Sequence, residues 1–196
     1  MQKKDNLNIR QEIFRKFIHL ACSIFPLLYL NYLNREQIVL ICGSITILFG
    51  IAELLRYKTT WGAKLFKKIF YPLLREDEKD KNLTGATYLF LSATITFLIF
   101  EKNIAIPAVL ILTAADSLAA IVGKVYGIHR IRNKTWEGSV TFFIISLIIL
   151  IITIPGFLIS MLVIAAIITV VELLPLPAGD NIWISLTAGI LLSLVV

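Results

Sequence analysis

Long apolar blocks alternate with short polar or charged stretches along nearly the whole chain. A helix needs about 20 mostly apolar residues to cross a hydrocarbon core of about 30 Å. The blocks supply candidate spans near residues 17–33, 37–56, 83–100, 104–126, 138–154, 156–172 and 180–196. The expected fold is therefore all-α, a polytopic membrane protein of about seven transmembrane helices. Pro155-Gly156 separates the fifth span from the sixth, and Pro175, Pro177 and Gly179 separate the sixth from the seventh, as turn chemistry requires. Between the second and third spans, Trp61, Leu65, Phe66, Ile69, Phe70 and Leu73 recur at helical spacing with Lys64, Lys67 and Lys68 among them. This predicts an amphipathic helix lying in the membrane interface, with a solvated basic loop as the alternative. The mixed charge run from Arg75 to Asn82 reads as a solvated loop.

Composition supports the membrane reading. Of the 196 residues, 58% are hydrophobic and 16% charged, with a mean hydropathy of +0.84, well away from soluble domains. No long polar linker divides the chain, so residues 1–196 read as a single membrane-embedded domain, with 57–82 a cytoplasmic loop carrying the interfacial helix. The basic start followed by an apolar run has no small-residue cleavage pattern and reads as a retained first helix. Cys22 and Cys42 each fall inside an apolar block, which argues against a disulfide framework or a zinc site.

Of the 19 Lys and Arg residues, all but Arg35 and Lys102 fall before the first span, at or between the second and third, or at or between the fourth and fifth. Lys and Arg are retained on the cytoplasmic side, which predicts a cytoplasmic N-terminus and an external C-terminus. The net charge of +6 then follows from contact with anionic headgroups and needs no nucleic-acid partner.

Ionisable residues inside spans are costly and default to functional hypotheses. Five stand out: His19, Glu53, Asp116, Glu172 and Asp180. All but Asp116 lie near the cytoplasmic boundary, with Asp116 deeper in its span. Asp116 is followed by Ala119, Ala120, Gly123 and Gly127 on one helical face. Close packing through Gly123 and Gly127 explains the glycines but leaves the carboxylate unpaired, which favours function for this face. Further on, Lys134, Thr135, Glu137, Gly138 and Ser139 open the fifth span. Free N–H groups at a helix start, a nearby Lys and a Gly allowing close approach suit phosphate, and Thr135 is equally a helix cap. With Asp116 this segment supplies oxygen ligands for a divalent cation and positive charge around a phosphate. Asp180-Asn181, after Glu172, adds hard oxygen ligands suited to Mg²⁺, and Asp180 reads as well as an N-cap. Arg15, Lys16 and His19 share one face of the first helix. Arg15 and Lys16 are candidate headgroup anchors, and His19 a candidate phosphate contact or proton shuttle. Glu53 and Arg56 read first as an ion pair. Neither G-x-x-x-x-G-K-[ST] nor G-x-G-x-x-G occurs.

The segments RKFIH (Arg15 to His19), ADSLAAIVGKVYG (Ala115 to Gly127), NKTWEGS (Asn133 to Ser139) and VELLPLPAGDN (Val171 to Asn181) resemble, in this order, the membrane family of dolichol kinase, phytol kinase and the CTP-dependent diacylglycerol kinases. The resemblance spans nearly the whole chain. Its Asp116 segment and the following Lys-Thr-x-Glu-Gly-Ser are shared with the wider superfamily that includes phosphatidate cytidylyltransferase, and they imply CTP and Mg²⁺. Cytidylyltransferases are longer and carry a His-Gly-Gly run followed by an Asp-Arg pair. This chain has no His after His129 and ends on Glu172 and Asp180-Asn181, like the kinases. The kinases often have Gly where this chain has Ala115.

The expectation is thus a CTP-dependent kinase acting at the cytoplasmic face on the hydroxyl of a membrane lipid alcohol: polyprenol or dolichol, phytol, or diacylglycerol. Asp116 with Asp180 and Asn181 would hold Mg²⁺. Lys124, Lys134 and the Thr135 to Ser139 turn would bind the triphosphate, His19 would contact headgroup or phosphate, and Glu172 is a candidate base. Two alternatives stand beside it, a cytidylyltransferase making a CDP-lipid and a small transporter lined by the intramembrane acids. The Gly123/Gly127 face can pack within one chain or between two, which leaves a homodimer possible.

Overall fold

The computed structural model describes residues 9–70, 83–176 and 180–196. The Arg75 to Asn82 run, Leu73, Pro177 and Gly179 lie outside them. In chain order the helices are α1 (Ile9–Ala21), α2 (Ile24–Asn31), α3 (Arg35–Lys58), α4 (Thr60–Phe70), α5 (Gly85–Ile99), α6 (Lys102–Leu110), a π-helical turn (Ile111–Ala115), α7 (Asp116–Val125), α8 (Trp136–Thr153), α9 (Leu158–Leu173) and α10 (Asp180–Ser193). Two short strands, β1 (Arg130–Ile131) and β2 (Lys134–Thr135), pair antiparallel before α8 and amend the all-α expectation. Arg132 adopts φ 56°, the sign that a two-residue hairpin connection demands.

Four helical stretches are long and apolar enough to cross a membrane: Ile9–Asn31, Arg35–Lys58, Lys102–Val125 and Trp136–Thr153. Gly85–Ile99 and Leu158–Leu173 are apolar but shorter, as is the 14-residue α10. The protein is a mostly helical membrane protein whose outer face is apolar, with Leu40, Ile152 and Ile159 all strongly exposed. Helices occupy the expected apolar blocks within a few residues, apart from the first, though only four stretches have the length of a span. Expected from residue 17, the first helix begins at Ile9 because Glu12, Arg15 and Lys16 are helical and buried, their charges paired inside the protein.

Local chemistry sets the boundaries. Asn34 and Gln37 cap α3 reciprocally: Gln37 N donates to Asn34 Oδ1 at 2.9 Å and Asn34 N to Gln37 Oε1 at 3.0 Å. Thr84 caps α5 and Thr135 caps α8. The first span breaks at Cys22-Ser23, and Pro26, which has no N–H, follows in the first turn of α2.

Lys102–Val125 is the axis of the bundle, with 72% of its most apolar stretch buried against 17–33% for the other three. Helix α2 packs on α6, α1 and α8 on α7, and α10 on α5, α6 and α9. Phe25 and Phe100 touch both buried apolar clusters, one around Leu112, Phe142 and Ile168, the other around Tyr29, Ile38 and Phe97. Polar glue joins α5 to α10: Ser92 and Ser185 hydroxyls lie 2.5 Å apart, and Thr96 donates to Ser185 at 3.1 Å. Both cysteines are free thiols.

Glu53 is the latch between α3 and α5. Its carboxylate, 1% exposed, accepts from Arg56 at 3.0 Å and from the Thr84 backbone N–H at 2.8 Å. The expected ion pair is present, and the capping of the next helix is an addition. Arg56 also lies over the Phe66 ring at 4.8 Å, which seats α4. Phe66 is buried, whereas Trp61 and Leu65 of the expected apolar face are exposed together with Lys64. Glu53→Ala removes the acceptor of both bonds from a buried site, so a loss of about 3 kcal/mol of stability is expected, read as a lower Tm in detergent. Glu53→Gln, which can still accept from Thr84, should lose less.

Candidate functional site

Asp116 begins α7 directly after the π turn, where its own N–H bonds back to Ile111 O. Such one-turn bulges occur often at functional sites. The turn is held from the side: Ser23 Oγ donates to Thr113 Oγ1 at 2.9 Å, and Thr113 Oγ1 donates to Val109 O at 2.9 Å. The Asp116 side chain is buried, and Lys16 Nζ sits 2.5 Å from its Oδ2. The expectation that close packing leaves Asp116 unpaired is thus corrected, since α1 delivers its counter-ion.

Lys16 is correspondingly not a headgroup anchor. Neither is Arg15, which is buried and paired with Glu12 at 2.7 Å, while its Nε has no hydrogen-bond partner. His19 is buried on the same helix. Glu12 was missed by sequence reasoning, and its i, i+3 spacing to Arg15 was the available signal.

A second charge cluster centres on Lys134, at the end of the hairpin. Its Nζ donates to Glu172 Oε1 at 2.6 Å, to Glu172 O at 2.5 Å and to Asp180 Oδ2 at 2.8 Å. The lysine thereby meets the carbonyl end of α9, and Asp180 lies in the first turn of α10, each placed as the helix dipoles favour. Burial opposes the charge on Lys134, but Asp180, Glu172 and Asp116 outweigh it and hold its pKa above the ordinary lysine value. Lys134 thus joins the hairpin to the facing ends of α9 and α10, and the Asp116 carboxylate on the central span adds to the negative charge that it feels.

Glycines allow α7 and α8 to meet. A Cβ on Gly123 would lie 2.6 Å from Thr135 Oγ1, and one on Gly138 would lie 2.9 Å from Ala119 O and 3.4 Å from the Gly123 Cα. Gly123 and Gly127 both pack against Thr135 of the same chain. Thr135 accepts from Gly138 N at 3.2 Å, as its capping role requires. Gly123→Ala is expected to displace this cap and cost about 1–3 kcal/mol through overpacking, read as a Tm decrease beside the activity.

Several expected site residues stand apart. Glu137 accepts from the His129 ring at 2.9 Å and its backbone N–H at 3.2 Å, so it closes the hairpin loop instead of facing the cluster. The Asn181 amide donates to Gly85 O at 3.1 Å and ties α10 to α5, instead of joining Asp180. Lys124 is exposed at the last turn of α7. Ser139 and Ser117 are buried with hydroxyls that have no hydrogen-bond partner, and Ser117 was missed by sequence reasoning although it adjoins Asp116.

Among the described residues, no three His, Cys, Asp or Glu side chains form a ready metal group; Lys16 pairs with Asp116, and Lys134 with Glu172 and Asp180. A divalent cation nonetheless fits the donor set. Mg²⁺ is usually bound through one or two carboxylates together with substrate phosphates, and the buried Glu172 Oε2 has no hydrogen-bond partner.

No family model matches the chain, and no solved structure matches it. It is 32% identical over 137 residues to the uncharacterized protein RP860 of Rickettsia prowazekii, covering 69% of this chain and 67% of that protein. It is 27% identical over 139 residues to the CTP-dependent diacylglycerol kinase 1 of Schizosaccharomyces pombe, covering 69% of this chain and 63% of that one. With the protein of the same name from Saccharomyces cerevisiae it shares 26% identity over 144 residues, 71% of this chain and 49% of that one. The chain thus spans between about half and two thirds of the length of these two kinases.

Proposed function

We propose, from the premise that this chain belongs to one family with the Rickettsia protein RP860, that it is a CTP-dependent lipid kinase phosphorylating the hydroxyl of a membrane lipid alcohol. The observation that carries the reading is the meeting of Lys134 with Glu172 and Asp180, near enough to Asp116 for its charge to act on the lysine. The likeness to two proteins named CTP-dependent diacylglycerol kinase supports CTP as donor and favours diacylglycerol over polyprenol or phytol as acceptor. About seven helices cross the membrane in this reading, and the basic segments keep the N-terminus and the site on the cytoplasmic side. Residues 1–196 act as one membrane-embedded domain.

In the reaction, the lipid hydroxyl oxygen bonds to the γ-phosphorus of CTP, the bond from that phosphorus to the β–γ bridging oxygen breaks, and CDP leaves. Asp116, Asp180 and Glu172 are the residues that would hold Mg²⁺, and the ion would neutralise charge developing on the phosphates. Lys134 and Lys16 bring positive charge to the transferring group, which in this chemistry counts for more than proton abstraction. Glu172 Oε2, buried and without a partner, is kept for the ion, and the hydroxyl proton passes to a phosphate oxygen. His19 lies on the face of α1 that carries Lys16 and would meet headgroup or phosphate. The first turn of α8, from Thr135 to Ser139, offers backbone N–H groups to the triphosphate.

Purified protein in liposomes, given γ-labelled CTP and Mg²⁺ with diacylglycerol, dolichol, undecaprenol or phytol, should label diacylglycerol. Label from α-labelled CTP in a CDP-lipid made from phosphatidic acid, with no phosphorylated alcohol, would replace the kinase by a cytidylyltransferase.

A further inference from the structure

Lys134 has no donor to spare. An ammonium group carries three N–H bonds, and Glu172 O, Glu172 Oε1 and Asp180 Oδ2 take them at 2.5, 2.6 and 2.8 Å. A phosphate arriving here would meet two carboxylates whose neutralising lysine is already committed. A divalent cation would find the same carboxylates held by an ammonium, with the buried Glu172 Oε2 as the oxygen left over. Neither ligand is well received by the site as it stands.

We propose that Lys134 is an internal counter-ion that exchanges places with the metal. In the free protein it holds Glu172 and Asp180; when a divalent cation takes those carboxylates, the released ammonium turns to the phosphate. The inference rests on the reading of this cluster as a metal and nucleotide site. The exchange leaves no charge unpaired, and an unpaired buried charge is the costly state. Lys134 is suited to move. It sits on a two-residue strand, its side chain is 28% exposed where that of Glu172 is 5%, and its four-carbon stem is flexible. Lys16, 7% exposed on α1, is the fixed member. Metal and phosphate then each prepare the site for the other, and the coupling is reciprocal.

Two measurements on the full chain in detergent, without nucleotide, test this. In the first, the wild type is acetylated with a water-soluble amine-reactive ester with and without Mn²⁺, and each lysine is followed by mass spectrometry. Mn²⁺ should speed labelling of Lys134 about fivefold, as expected of an ammonium freed from three hydrogen bonds, and leave the exposed Lys64 unchanged. Labelling of Lys134 that Mn²⁺ slows or leaves unchanged overturns the proposal. In the second, Mn²⁺ binding is read by electron paramagnetic resonance. Lys134→Met should bind the ion about tenfold more tightly than the wild type, because a competing charge has gone; equal or weaker binding overturns the proposal. Should that variant not fold, the wild-type labelling decides. A protein that exchanges Lys134 for Mn²⁺ but transfers no phosphate from CTP would refute the kinase reading and leave the exchange standing.

Discussion

Asp116→Asn is expected to lower phosphoryl transfer from CTP by on the order of a thousandfold, the scale on which removing one preorganised electrostatic group acts in a water-poor site. The amide keeps the volume of the carboxylate and loses its charge. A second effect accompanies the first. Lys16 Nζ, 2.5 Å from the carboxylate and buried, loses its counter-ion, and breaking a buried pair costs about 3–5 kcal/mol. The single variant should therefore be both inactive and less stable. Combining it with Lys16→Met separates the two, because deleting both partners of a buried pair is often close to neutral. The double variant should recover most of the Tm and none of the activity, measured with γ-labelled CTP in liposomes. Activity near the wild-type level in a folded double variant would remove Asp116 from the chemistry.

Lys134 carries the second large effect. Lys134→Met leaves the Glu172 and Asp180 carboxylates facing each other without the cation between them, and a stability loss of about 3 kcal/mol is expected. Activity should fall by on the order of a thousandfold in kcat/KM, since the same ammonium is assigned to the transferring phosphate. Lys134→Arg discriminates between charge and shape. A guanidinium preserves the charge but presents its donors in a flat fork, whereas the three acceptors here surround one compact nitrogen. The arginine variant should regain part of the Tm and little of the rate. Equal recovery of both would mean that the position needs only a positive charge.

Much of this arrangement is legible in the sequence, for stated physical reasons. Apolar block length placed the helices, because a span must match the thickness of the hydrocarbon core. Asp116, Glu172 and Asp180 stood out through the cost of burying a charge, and Thr135 stood out as a cap because an N-cap has few candidate residues. What escaped was pairing at a distance. Lys16 and Asp116 are a hundred residues apart, and no periodicity within α1 tells that its lysine turns inward rather than toward headgroups. Glu137 and Asn181 were assigned to phosphate and metal by residue type. In the structure they engage nearer partners, His129 and Gly85 O, which residue type alone does not tell. The hairpin was missed because two-residue strands carry no alternation to read.

The π turn gives the central span a property that its hydropathy does not show. Each residue of an α-helix advances the side chain by about 100°, and a π turn holds one residue more than the α-helical turn it replaces. The faces of α6 and α7 are therefore out of phase with each other by about that angle, although the backbone runs on without a break. Deleting a single residue between Ile111 and Ala115 would remove the extra residue and keep Asp116 aimed at Lys16, whereas a deletion in the α-helical part from Lys102 to Leu110 would rotate the first half by about 100° relative to the second. Lys102–Val125 is thus two half-helices with separate registers: the first can be tuned for packing against α2 and α10 and the second for charge, and changes in one need not disturb the aim of the other.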